Sequence, residues 1–178
     1  MATAEITGGS TMQEVLDAYA GAQRALMREY HIGGCGSCGF APSDRLGAVL
    51  AGKNIQNVDE VIEFIKKSHE EEQRIQISPK DLAEQLGGEA PPRLIDVRDD
   101  QEHSIAHIEG SQLASQELVQ EMMANWPKDT PIVTYCHHGM RSLEAASYFI
   151  GHGFTNVRSL TGGIDAWSEQ IEPSMARY

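Results

Sequence analysis

The sequence predicts an α/β domain built on a parallel sheet, preceded by a small all-α domain. Two observations carry that prediction. Beyond about residue 74, short apolar and β-branched runs alternate with helical patterns, the order that lines strands up in one sheet with helices on both faces. Before residue 68 only the helical period appears. The division drawn is 1–68 for the helical domain, 69–73 for a linker and 74–178 for the α/β domain.

The first part opens with a predicted helix over 10–30. Ser10 or Thr11 can cap it, and Val15, Leu16, Tyr19, Leu26 and Tyr30 give an apolar stripe. HIGGCGSCG (31–39) interrupts it. A second helix is placed after Ser43 or Asp44, through Leu46, Val49 and Leu50. A third follows Asn57, where Val58, Val61, Ile62 and Ile65 are spaced i, i+3, i+4, i+7. The polar run HEEEQR (69–74) suits a linker or a solvated helix end.

Strands are then expected at 74–79, 93–98, 131–136 and 155–160. Helices are expected at 79–88, with Pro79 near the start and Gly87 at the end, and at 115–124, 142–150 and 164–170. PIVTYC (131–136) is the most strand-like run, being rich in β-branched residues.

Composition narrows the function. The chain has 178 residues, 40% hydrophobic and 22% charged, which fits a soluble globular protein. Its formal net charge is -12, from 14 Lys+Arg and 26 Asp+Glu. Up to Lys80 there are 8 basic and 11 acidic residues, and beyond it 6 and 15, so the acidity gathers in the second part. With no basic patch, neither nucleic acid nor an anionic membrane is an expected partner. The N-terminal residues lack the basic and apolar regions of a signal peptide, and no apolar run is long enough to span a bilayer. Together with three cysteines that suit a reducing compartment, this places the protein in the cytoplasm as an expectation.

The chemistry points to 131–150, PIVTYCHHGMRSLEAASYFI. A strand ends at Cys136, a short loop follows, and Arg141 and Ser142 open a helix. Ligands of open α/β sheets bind beyond the carboxyl ends of the strands. The N–H groups of the loop and first helical turn lack intrahelical acceptors and can face an anion. That positive end, with the Arg141 guanidinium, favours a thiolate on Cys136. Gly139 lets the loop turn with its amides inward, where a side chain would collide with a bound oxyanion. Such a cysteine could attack sulfur, attack phosphorus, or exchange disulfides.

CHHGMRS, with LIDVRDDQEHSIAHIEGSQ upstream and NVRSLTGGIDAWS downstream, resembles a single-domain rhodanese over about residues 74–178, including the ending EPSMARY. The resemblance implies a parallel sheet of about five strands flanked by helices, and transfer of sulfane sulfur from thiosulfate or a persulfide donor to a thiol, cyanide or protein-thiolate acceptor. Cys136 matches the persulfide-forming cysteine. His137, His138, Gly139, Met140, Arg141 and Ser142 match the substrate-binding loop, with Arg141 as its closing arginine. Asp96 and Arg98 match a D-x-R signature that braces the fold, in a charge pair with neighbours such as Glu102. Gly162, Gly163 and Trp167 match the closing GG-x-x-x-W signature. Where the family commonly shows GHIPGA, this chain has Ala106, His107, Ile108, Glu109, Gly110 and Ser111, so that turn is expected to differ. Related dual-specificity phosphatases place one more residue between cysteine and arginine, so the C-x4-R loop favours sulfur over phosphorus. No cofactor or metal is implied. A second reading of the same residues is a sulfur carrier or interaction protein, loaded by a partner and turning over little thiosulfate.

His31, Cys35 and Cys38 raise a separate question. C-x-x-C suits a redox pair or sulfur relay, half of a metal site, or a tight packing turn. HIGGCGSCGFAPSDRLGAVLAGKNIQNVDEVIEFI resembles small helical domains found beside redox and iron–sulfur-repair proteins. A homodimer could bring two cysteines from each subunit to one cluster. With only two cysteines nearby, the pair is expected to act as thiols coupled to Cys136. Replacing both with serine is then expected to leave thiosulfate-to-cyanide transfer nearly intact and to slow sulfide release in a dithiol-regenerated assay. Stoichiometric zinc or iron in anaerobically purified protein, lost in the double variant with sulfide release unchanged, would identify a metal site instead.

Overall fold

In the structure, a computed structural model that describes residues 5–33 and 39–177, the chain divides into two compact units, one ending at Arg74 and one beginning at Ile75. Cys35 and Cys38 lie outside the described residues.

The first unit holds four helices among its described residues: α1 (Met12–Ala18), α2 (Ala22–Tyr30), α3 (Leu46–Ala51) and α4 (Val58–Arg74). Thr11 caps α1 in a reciprocal capping box with Glu14. The single helix expected over 10–30 is two. Tyr19 leaves helical geometry (φ -135°, ψ 87°), and α2 restarts after Gly21. The Glu72 carboxylate of α4 packs so closely there that a Cβ on residue 21 would stand 2.2 Å from Glu72 Oε2. The same carboxylate is held by Arg24 at 2.6 Å. His31 ends α2 in the left-handed conformation (φ 54°), its N–H reaching back to the Leu26 and Met27 carbonyls.

α4 continues through 69–73, so the segment assigned as a linker is the end of a helix, the other reading of its polar run. Tertiary contacts explain the extension: Glu72 pairs with Arg24, Ser68 accepts from Arg28 at 3.3 Å, and His69 meets the Tyr19 ring edge-on. The core of this unit joins Val15, Leu26, Leu46 and Leu50 to Val61, Ile62 and Ile65, the face that the i, i+3, i+4, i+7 spacing predicts.

The second unit carries five strands: β1 (Gln76–Ile77), β2 (Arg93–Asp96), β3 (Gln112–Leu113), β4 (Ile132–Tyr135) and β5 (Val157–Leu160). They form one parallel sheet in the order β1-β5-β4-β2-β3. The helices are α5 (Pro79–Leu86), α6 (Asp100–Ile105), α7 (Gln116–Asn125), α8 (Met140–Gly151) and α9 (Gly163–Gln170). Apolar clusters cover the sheet, one containing Leu82, Tyr135, Leu160 and Trp167, the other Ile95, Met122, Phe149 and Phe154.

Two elements lack a counterpart in the sequence pattern. β3 is a two-residue edge strand, too short for alternation, and α6 has no buried residue and hence no apolar stripe. α8 begins at Met140, earlier than the expected 142.

All five strands being parallel, their carboxyl ends share one rim, with Asp96 closing β2 and Cys136 following β4, the central strand. Asp96 and Arg98 form a fully buried pair there. Arg98 donates to Asp96 through Nε at 2.9 Å and through Nη2, and to the Ala106 carbonyl at 2.7 Å. Asp96 also accepts from the Arg98 N–H and from His103 Nδ1 at 2.8 Å. Burial alone would raise the Asp96 pKa, but the hydrogen bonds from Arg98 and His103 outweigh it and hold the group below its ordinary value. Asp96→Ala leaves the buried guanidinium without its counter-charge and is expected to cost about 3–5 kcal/mol. Urea unfolding followed by tryptophan fluorescence checks this, since both tryptophans, Trp126 and Trp167, lie in this unit.

Candidate active site

Cys136 lies at the end of the central strand, with the residue almost wholly buried. Its Sγ accepts the Gly139 N–H at 3.2 Å and the Ser142 N–H at 3.4 Å. Two peptide dipoles therefore converge on the sulfur, from the loop and from the first turn of the twelve-residue α8.

Behind the loop, two of its carbonyls are taken by the next helix. The Ile164 N–H donates to the Cys136 carbonyl at 2.8 Å, and the Asp165 N–H to the His137 carbonyl at 3.1 Å. The start of α9 thus spends its unpaired N–H groups on the back of the loop. Close approach demands glycine. Gly163 has φ +62°, and a Cβ there would stand 2.3 Å from the Cys136 oxygen and 2.4 Å from that of His137. Gly139 (φ +88°) faces the same junction, since its Cβ would meet the Gly162 nitrogen at 3.0 Å and the Leu160 oxygen at 3.1 Å. The collision expected with a bound oxyanion is therefore one with the β5–α9 turn. Trp167, one turn further along α9, is buried in the core.

Ser142 enters through its backbone. Its hydroxyl is buried against that of Ser159 (2.9 Å), and its carbonyl accepts from Thr134 Oγ1 at 2.8 Å, which ties the start of α8 to β4. His137 is mostly buried, with Nδ1 3.9 Å from Glu102. Burial and the neighbouring His138 lower its pKa, so it is neutral near pH 7. The two imidazoles lie 4.1 Å apart, and the exposed His138 stands 3.8 Å from Asp165. Met140 is half exposed.

Arg141 makes a bidentate pair with Glu102 of α6, at 2.8 and 2.9 Å. Glu102 was expected beside Asp96 and Arg98 as a member of their charge pair. Glu102 does feel the Arg98 charge, but its side-chain hydrogen bonds from a guanidinium come from the loop arginine, and His103 joins the cluster through Asp96. The hydrogen bonds from Arg141 outweigh partial burial and depress the Glu102 pKa to about 2. The signal was present in the sequence: D-x-x-E at 99–102 is a capping box, and the structure shows both of its hydrogen bonds. In the divergent turn, Gly110 takes φ +79°, and Ser111 meets the buried Tyr135 hydroxyl at 2.8 Å, so a side-chain hydrogen bond now braces it. Among the described residues no group of three or more His, Cys, Asp or Glu could hold a metal ion, and no helix is long and apolar enough to cross a membrane.

A parallel α/β sheet whose central strand ends in a cysteine, cradled by a six-residue loop under a glycine-glycine turn, defines a rhodanese-like domain. The model of the rhodanese-like domain family matches residues 78–170, more than half of the chain, and the chain belongs to that family. Its relatives include a probable adenylyltransferase/sulfurtransferase MoeZ of Mycobacterium tuberculosis, 40% identical over 104 residues, which are 57% of this chain but only 26% of the relative. The thiosulfate sulfurtransferase GlpE of Pseudomonas paraeruginosa is 40% identical over 75 residues, 42% of this chain and 68% of the relative. A rhodanese-related protein of Thermoplasma volcanium, known from its crystal structure, is 28% identical with a TM-score of 0.45, over 55% of this chain and 94% of that one.

Gly163→Ala is expected to destabilise the second unit by about 1–3 kcal/mol, because it combines a strained backbone with a carbonyl clash. Gly151→Ala, where nothing lies within 4 Å of the new Cβ, should be neutral or stabilising by up to about 1 kcal/mol. Paired thermal melts of the two variants check the contrast.

Proposed function

We propose that the second unit is a sulfurtransferase that carries sulfane sulfur as a persulfide on Cys136. The observation that carries this reading is the pair of amide N–H groups converging on Cys136 Sγ inside a loop with only four residues between cysteine and arginine. Membership of the rhodanese-like family and the sulfurtransferase names of both relatives support it.

In the first half-reaction the Cys136 thiolate attacks the outer sulfur of thiosulfate, or the terminal sulfur of a persulfide. A new S–S bond forms, the donor's own S–S bond breaks, and sulfite or a thiolate leaves with the electron pair. The terminal sulfur of the resulting persulfide bears negative charge, which the loop amides and the start of α8 can hold. In the second half-reaction cyanide, a thiol or a protein thiolate attacks that sulfur, and Cys136 departs as the thiolate. No net redox change occurs, and the kinetics are ping-pong. The Gly139 and Ser142 amides are fixed before any donor arrives, so they need no reorganisation as charge develops.

Intact mass of the purified chain should rise by one sulfur atom after thiosulfate or a persulfide donor and return to its starting value with a reductant. Cys136→Ser should abolish the gain and lower thiocyanate formation by on the order of a thousandfold or more. Activity within a few fold of wild type in that variant would overturn the assignment.

A further inference from the structure

We propose that Glu102 is a specificity-determining residue that holds and neutralises Arg141, biasing the loop against donors that carry an oxyanion. The inference rests on the sulfur-transfer reading above and adds to it a residue outside the loop.

Arg141 is near enough to Cys136 to feel its charge, yet its two terminal nitrogens already meet Glu102 Oε1 and Oε2 at 2.8 and 2.9 Å. A guanidinium bound in this fork has its charge and its bidentate geometry satisfied by a carboxylate of the protein itself. Glu102 is in turn held in place. Its Oε2 accepts the Asp99 N–H at 3.2 Å, and its own N–H donates to Asp99 Oδ1 at 2.8 Å. α6 is pinned further by His103, which donates to the buried Asp96. If Arg141 turned toward a donor, the carboxylate would remain as a fixed anion beside the loop, with Nδ1 of His137 3.9 Å away. Asp165 adds a second carboxylate, 3.8 Å from His138.

Thiosulfate is a dianion that carries an SO3 oxyanion group. The reacting end of a persulfide carries at most one charge and no oxyanion. Fixed carboxylates around the loop therefore oppose thiosulfate more strongly than a persulfide, and Arg141 offsets this only by giving up the Glu102 pair. Glutamine at position 102 would remove the charge while keeping an amide oxygen that can serve the α6 cap.

The test compares the full-length wild-type chain with Glu102→Gln. Sulfite is titrated into each by calorimetry, and thiosulfate and glutathione persulfide are compared as donors. Glu102→Gln is expected to bind sulfite about tenfold more tightly, as suits a hydrogen bond to a charged group. The ratio of kcat/KM for thiosulfate to that for the persulfide should rise by a similar factor, chiefly through the thiosulfate KM. Equal or weaker sulfite binding in a folded Glu102→Gln protein would overturn the proposal. Asp99→Ala is a second variant: it removes the side-chain acceptor of the Glu102 N–H and a carboxylate that acts on Arg141, keeps the Asp99 N–H that holds Oε2, alters no loop residue, and should shift sulfite affinity in the same direction by less. It decides the matter if Glu102→Gln does not fold. A wild-type chain that gains no sulfur on Cys136 from either donor would sink the sulfur-transfer reading, while the sulfite titrations would still decide whether Glu102 restrains Arg141.

Discussion

Everything at the site depends on the capture of two carbonyls. The Cys136 and His137 oxygens are bonded by the Ile164 and Asp165 amides at the start of α9, and this fixes the first two peptide units of the loop against α9. A peptide unit has its donor and acceptor on opposite sides, so anchoring these two oxygens orients the His137 and His138 N–H groups, while the Gly139 and Ser142 N–H groups meet Cys136 Sγ from the end of the loop and the first turn of α8. Gly163 is the condition for that docking, because any β-carbon would stand inside the carbonyls that α9 captures. Helix and loop thus exchange unsatisfied groups: α9 caps its first turn on the loop, and the loop gains a fixed polarity without a charged side chain.

A second constraint acts from the other flank. The buried pair of Asp96 and Arg98 reaches the Ala106 carbonyl and His103, so it fixes both α6 and the turn that follows it. Glu102 rides on that short helix and presents its carboxylate to Arg141. The pair acts on the loop through the helix it holds, and the Arg98 charge also acts on His137 directly. Its desolvation is offset by a full set of partners: among the described residues, no buried side-chain nitrogen or oxygen lacks a hydrogen bond.

The legible parts of the chain were those governed by local pattern. β4 is a β-branched run bounded by Pro131 and the loop, and it appears where that pattern placed it. The α5 boundaries follow Ser78, Pro79 and Gly87. The apolar face of α4 follows its i, i+3, i+4, i+7 spacing. The elements that escaped were those whose stability is not local. α6 buries none of its residues, β3 is two residues long, and the end of α4 is polar, held by Arg24, Arg28 and Tyr19 from other helices. The break between α1 and α2 lies beside another such contact, since Glu72 packs against Gly21 there.

By itself the sequence determined the fold class and the identity of the reactive loop. Strand–helix alternation, a cysteine at a strand end and an arginine five residues on are properties of one contiguous stretch, and local sterics and helix-terminus polarity act on them directly. Only the tertiary structure decided where that polarity points and what Arg141 binds. The Ile164 and Asp165 amides lie more than twenty-five residues from the carbonyls they capture, and Glu102 lies nearly forty from its arginine. Sequence spacing does not encode such partners. They are chosen when the sheet brings the ends of β2, β4 and β5 to one rim, where the buried or half-buried groups must find one another or go unpaired.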